Sequence, residues 1–262
     1  MLQLRIEKTG PSWLLVDKPA GFHTHPPEDP TIRMNPLKNA LGILERQLGE
    51  RLAPAHRLDR AASGLLIYAR DPAARSLLQK QFAAGGVRKT YFVVVRGELR
   101  EPRKFREPLD GQNAISFACP CFSFALPLPH PRGGDRRFTV LEVEIETGRF
   151  HQIRRHFALA GYPLMGDTRH GDRKLNREFA RVTGCEGLFL RCMAIAFRCP
   201  DTGSAVSHRT RWSREWHRLF ELVGTCALAI PVAVFSSSAR TLRPSSPSRA
   251  DFRVDAVDDF SR

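Results

Sequence analysis

His56-Arg57-Leu58-Asp59-Arg60-Ala61-Ala62-Ser63-Gly64-Leu65-Leu66-Ile67-Tyr68-Ala69-Arg70 decides how the chain is read. One carboxylate lies between two arginines, small turn residues follow, and an apolar run closes the stretch. Ser63-Gly64 is a turn signal, and Leu65 to Tyr68 has strand composition. The local reading is a loop that presents Asp59 and turns into a buried strand. Taken alone, Asp59 is a turn-capping aspartate.

Working outward, elements alternate on both sides. Leu2 to Lys8 alternates apolar and polar, and Trp13 to Val16 is a more buried strand ending in the turn Asp17 to Gly21. Asn35 to Arg51 has leucines near a helical period, with Pro36 suited to the first turn and Gly49 to the exit. Asp71-Pro72 opens a second helix with Leu77, Leu78 and Phe82 on its apolar face, and Gly85-Gly86 closes it. Val87 to Gly97 is a strand rich in β-branched and aromatic residues. Residues 98–137 carry many prolines and glycines around one strand, Ile115 to Cys121. Phe138 to Glu146 is a half-buried strand, Thr147 to Arg149 a turn, and Phe150 to Leu159 a helix whose apolar residues are Phe150, Ile153 and Phe157. Gly161-Tyr162-Pro163 stops that helix. A polar loop from Gly166 to Lys174 follows, then a strand Leu188 to Phe197, a hairpin return Ala205 to Arg209, and a short helix Glu215 to Leu222. The domain expectation is a catalytic body over 1–222 and a flexible tail with Ser, Arg and Asp over 223–262.

The 262 residues carry a net charge of +14, which favours a polyanionic partner, nucleic acid first. Charges at Arg5, Glu7 and Lys8 interrupt any signal peptide, and Pro231 breaks the longest apolar run, Cys226 to Phe235, so no membrane partner is expected. The six cysteines form no C-x-x-C pair, and His23, His25 and His56 lack a completing ligand at a familiar spacing. No metal and no cofactor are therefore expected, and the thiols read as reduced in a cytoplasmic protein.

The ordered series of motifs resembles the RluA family of pseudouridine synthases. The series runs Lys18-Pro19-Ala20-Gly21, His56-Arg57-Leu58-Asp59, Lys89-Thr90-Tyr91, Thr147-Gly148-Arg149-Phe150-His151-Gln152-Ile153-Arg154-Arg155-His156, and Tyr162 to Asp167. Within that family the chain is similar to the TruC type, which acts on tRNA at uridine 65. Ala55 to Arg60, Gly166 to Asp172 with Asn176, and the direct start without an S4-like module carry this likeness. The resemblance implies an α+β pseudouridine synthase fold: a mixed, largely antiparallel sheet, flanking helices and a central RNA-binding cleft. It implies isomerisation of uridine in structured RNA by a monomer, tRNA first and ribosomal RNA second. An RNA-binding or RNA-folding factor that has lost turnover is the competing class.

The reaction exchanges a C–N for a C–C glycosidic bond and needs no redox change or group donor. One carboxylate suffices, adding to the ring or the ribose carbon, or acting as base to give a glycal. By resemblance Asp59 has this role, Arg154 favours its ionised form, and Tyr91 stacks on the flipped base and moves a proton. Ile153 supplies apolar wall. Arg57 fills the space left by the flipped nucleotide. Lys18, Arg60, Arg149, Arg155, Arg169 and Lys174 read as charge for the RNA backbone. Ala62 departs from the family's usual threonine, so a hydroxyl hydrogen bond under the catalytic loop is expected to be missing.

Overall fold

The computed structural model describes residues 2–26, 38–128, 135–225 and 230–231. The chain runs β1 (Arg5–Thr9), β2 (Trp13–Lys18), α1 (Ala40–Leu48), β3 (Ala53–Pro54), β4 (Ser63–Ala69), α2 (Pro72–Ala83), β5 (Arg88–Arg96), β6 (Arg103–Phe105), β7 (Ser116–Leu126) and β8 (Arg136–Ile145). It continues through α3 (Gln152–Leu159), α4 (Arg173–Thr183), β9 (Leu190–Arg198), β10 (Ala205–Arg209), α5 (Arg214–Thr225) and β11 (Ile230–Pro231). One mixed sheet has the main order β1-β2-β4-β9-β5-β8-β7-β11, with β3, β6 and β10 pairing at β4, β7 and β9. Among these strands every pairing is antiparallel except β4 with β9, which is parallel and rests on two residue pairs, Ser63 with Arg191 and Gly64 with Cys192. The architecture is the α+β, largely antiparallel sheet expected from the motif series.

Strand alternation sorts the side chains onto two faces. Tyr91, Val93 and Val95 of β5 and Leu141 and Val143 of β8 join one core, covered by α1, α2 and α3 through Leu44, Leu78, Ile153 and Phe157. Phe92 and Val94 with Phe138 and Val140 join the second core, covered by α4 and α5 through Phe179, Trp216 and Leu219. Each such side chain withdrawn from water contributes roughly 1.5–3 kcal/mol, so the two layers hold the sheet rigidly from both sides. Tyr91 therefore lies on the face that also carries α3, which is the first condition for a shared site.

The helix caps follow the sequence. Asp71 accepts from the Ala74 amide at 2.8 Å, Pro72 sits in the first turn of α2, and Gly49 ends α1 in the left-handed region. α1 begins at Ala40, and Pro36 falls outside the described residues, as does most of 223–262.

Four local expectations change. Arg173 to Thr183 forms the helix α4, which takes the last two residues of the expected Gly166–Lys174 loop and which no clear period predicts. Its apolar residues are sparse, but Leu175, Phe179 and Thr183 are spaced by four and all buried, and Asp172 caps it through the Lys174 and Leu175 amides. Residues 98–137 hold β6 and an eleven-residue β7 rather than one short strand. Pro120 hides that length, and a bulge between Pro120 and Phe122 absorbs it. Leu77 is exposed on α2, where Ala74 and Leu78 face the core. Phe150 lies before α3, not on its apolar face, and is exposed. Among the described residues no helix is long and apolar enough to cross a membrane.

Candidate active site

A cavity of about 540 Å³ opens on the α3 face of the sheet. Its wall combines the 55–62 loop, the end of α2, Lys89 and Tyr91 of β5, and the run from Ile145 to Arg154. Asp59, Tyr91, Arg154, Arg57, Arg149 and Ile153, far apart in sequence, all line it.

Arg154 is the hub. It projects from α3 and is almost fully buried. Its Nε and Nη2 each donate to one oxygen of Asp167 at 2.8 Å, a bidentate fork. Its Nη1 donates to Asp59 Oδ2 at 3.1 Å and to His151 Nε2 at 2.9 Å. The two carboxylates differ in access: the Asp167 side chain keeps 1% of its surface and the Asp59 side chain 22%. Asp167 is thus the anchor, and Asp59 is the carboxylate a substrate can reach.

Asp167 is itself over-determined. Burial alone would raise its pKa, but the Arg154 bond and the backbone amides of His170 and Arg169 draw it down to about 2. Gly166 makes the turn possible: its φ is +77°, and a Cβ there would lie 1.6 Å from the Gly187 carbonyl oxygen.

His151 precedes α3 with φ 51° and ψ 31°, a left-handed conformation that costs a non-glycine residue about 1–2 kcal/mol. Its hydrogen bonds hold it there. Burial, with Arg154 adding and Asp59 opposing, lowers its pKa to about 4, so near neutral pH the ring is neutral. Accepting from Arg154 through Nε2 then requires the proton on Nδ1, which donates to His170 Nε2 at 2.9 Å. Gln152 fastens the preceding turn: its Oε1 accepts from Thr147 and the Arg149 amide, and its Nε2 donates to Ile115 O and Ser116 Oγ on the edge of β7.

The loop carrying Asp59 is pinned from below by Lys18. This lysine, expected among the RNA-backbone charges, is instead fully buried. Its Nζ donates to the carbonyls of Ala62 at 2.6 Å, Phe22 at 2.8 Å and Pro19 at 2.9 Å. Burial lowers its pKa to about 7 against the pull of Asp59 and Asp17. The Ala62 amide also donates to the Asp59 carbonyl at 3.1 Å, and the Thr24 hydroxyl bonds both the amide and the carbonyl of Leu58. Loop support here runs through backbone groups held by Lys18 and Thr24, at the place where Ala62 offers no hydroxyl. Gly64 completes it: φ is +110°, and a Cβ would sit 2.2 Å from the Cys192 carbonyl oxygen, so only glycine lets β4 close on β9.

Tyr91 is buried against Cys192, and burial first, then Cys192 and Asp59, push its phenol well above the usual range. It stays protonated at neutral pH, an apolar ring with one donor at the cavity floor. Lys89 also lines the cavity, with Nζ 5.3 Å from the Phe82 ring centroid. Lys89, Asp167 and Thr24 join the site beyond the residues expected from sequence, and Lys89 and Asp167 lie inside the motif series. Their spacing to a motif residue was the available signal.

The remaining charges divide. Arg57 is exposed on the rim, and Arg149 lines the cavity with Nε on the Asn113 carbonyl. Arg169 is exposed with its guanidinium 5.4 Å from the Phe150 ring. Arg60 is exposed but outside the cavity wall, Arg155 forms a surface fork with Asp110, and Lys174 is exposed at the start of α4.

Residues 12–159 match the family model described as RNA pseudouridylate synthase. The tRNA pseudouridine synthase C of Yersinia pestis is 31% identical over 82% of this chain and 88% of its own. That of Haemophilus ducreyi is 29% identical over 80% of this chain and 92% of its own. Among solved structures, human RNA pseudouridylate synthase domain containing 1 is similar in fold, with a TM-score of 0.66 at 17% identity over 91% of this chain and 93% of that one.

Proposed function

The chain belongs to the RNA pseudouridylate synthase family, and from that premise we propose that it isomerises a uridine of tRNA, of the uridine-65 type, with Asp59 as the reacting carboxylate. The observation that carries this reading is the Asp59–Arg154 pair, with one carboxylate oxygen held at 3.1 Å and the group still open to a nucleoside-sized cavity.

In the isomerisation the N1–C1′ bond breaks, the base turns, C5 bonds to C1′, and the C5 proton leaves while N1 gains one. Asp59 supplies the carboxylate for this exchange, as nucleophile or as base. Arg154 keeps it aimed, because Asp167 fixes the fork of the guanidinium and leaves only Nη1 for Asp59. The Tyr91 ring and Ile153 give the extruded base an apolar seat, and Arg57 stands on the rim for the emptied stack. Extrusion costs roughly a few kcal/mol, which the cationic wall of Arg57, Lys89 and Arg149 offsets through phosphate contacts. Both bacterial relatives are tRNA pseudouridine synthases, which supports tRNA as the substrate, and a monomer acting in the cytoplasm fits this reading.

The test is tritium release from tRNA transcripts labelled at C5 of uridine, followed by carbodiimide mapping. Wild-type protein releases tritium at one site, and Asp59→Asn releases none while still binding RNA. Release from ribosomal RNA alone overturns the tRNA target. Undiminished release by Asp59→Asn overturns the role of Asp59.

A further inference from the structure

Four large apolar side chains are exposed among the described residues, Leu2, Leu77, Phe150 and Leu159, and only Phe150 is aromatic and lines the cavity. We infer that Phe150, with the Arg169 guanidinium over its ring, is a stacking platform for an unpaired base flanking the extruded uridine. The inference rests on the RNA-modifying reading above and adds a specificity residue to it.

Phe150 keeps 51% of its surface at the mouth of the cavity. The left-handed turn at His151 keeps it off the apolar face of α3, where its sequence position would otherwise seat it. Its ring lies on the His151 imidazole, 3.9 Å between centroids and 17° from parallel. The Arg169 guanidinium carbon lies over the same ring, 5.4 Å from its centroid. An exposed aromatic ring stacked on an imidazole and capped by a planar cation suits a nucleobase, which stacks on guanidinium planes as on π faces. Arg57 and Arg149 on the same cavity wall suit the phosphates either side of that base. A base reaches the platform only when it has left its own stack, so the platform selects RNA in which the neighbour of the target uridine is unpaired or easily unstacked. Purines, with the larger π face, fit it best.

The experiment compares Phe150→Leu and Phe150→Trp with the wild type on modified tRNA, and repeats it with an abasic nucleotide on either side of the target. Phe150→Leu raises the half-saturating RNA concentration about 5- to 100-fold, leaves the single-turnover rate at saturation within about twofold, and is rescued by tryptophan. The abasic substitution on one side costs the wild type the same factor and costs Phe150→Leu nothing more. Wild-type saturation by Phe150→Leu, or fully additive losses, overturns the inference. Should the wild type modify no tRNA, the target reading fails by itself. The platform is then judged by fluorescence of a short single-stranded RNA containing 2-aminopurine, quenched by the wild type and unquenched by Phe150→Leu. Equal quenching by both overturns it.

Discussion

Two buried arginines each hold an aspartate, and only one pair faces a cavity. Arg154 grips Asp167 with its fork and reaches Asp59 with the remaining Nη1 donor. Arg191, with 1% of its side chain exposed, donates to Asp17 at 2.8 Å and to the Arg211 carbonyl at 2.7 Å. Arg5 donates to the same Asp17 oxygen, and Thr210, Glu7 and His208 extend the network. Burial and ion pairing are alike in both. The difference lies in the third partner: Arg191 turns to a carbonyl that needs a donor, whereas Arg154 turns to a carboxylate with free surface in a pocket. A buried ion pair marks chemistry only when one of its members still has somewhere to act.

The comparison breaks most visibly under substitution of the arginines. Arg154→Lys keeps a charge but loses the fork. Turnover falls about 10²- to 10³-fold, as for loss of a positioned charge donor, in single-turnover assays. Arg191→Met lowers the melting temperature and leaves the rate per folded molecule unchanged. An equal loss of rate in both variants erases the distinction.

The anchor can be examined through acid. The Asp167 pKa is depressed in the folded protein from 3.8 to about 2, so its contribution to stability is complete above pH 4 and is lost as pH falls through the range down to about 2. Thermal melts against pH show the wild type ahead of Asp167→Asn by about 5 °C above pH 4, the gap closing towards pH 2. A gap that stays constant through that range assigns the anchoring to shape rather than to charge.

The smallest effect separates cations at the rim from cations inside. Arg57→Ala reduces the slope of log affinity against log salt by about one unit and weakens RNA binding a few-fold. Lys18→Met leaves the slope intact and lowers the melting temperature, because its ammonium holds carbonyls and not phosphate. A changed slope for Lys18→Met reverses that assignment.

What the sequence made legible follows from the same distinction. Asp59, Tyr91 and Arg154 stood in ordered motifs, and their convergence needed only the sheet to bring β4, β5 and α3 together. Composition placed β5 and alternation placed β8, but β8, expected half-buried, has its middle buried on both faces because its alternate residues enter different cores. Lys18 was illegible: a lysine in a turn reads as solvated, and only the surrounding carbonyls of Pro19, Phe22 and Ala62 make its burial tolerable. Phe150 was misplaced because helical spacing counts residues and does not register a left-handed turn at His151. α4 was missed because three buried positions in a basic, polar segment are too few to register as a period.

The parallel joint of β4 and β9, two residue pairs long, has a mechanical meaning. On one side of it lies β4, which follows the Asp59 loop, and on the other β5 with Tyr91, on the face that α3 covers with Arg154. Each part is built of longer antiparallel ladders, and across the seam the two are joined by these pairs and by the core that holds Leu14 and Leu65 together with Leu190 and Ile195. The one distance the chemistry depends on, from Asp59 to Arg154, spans that seam. Because one core runs across the seam, that distance is held by side-chain packing more than by strand pairing, as a keyed joint holds two beams.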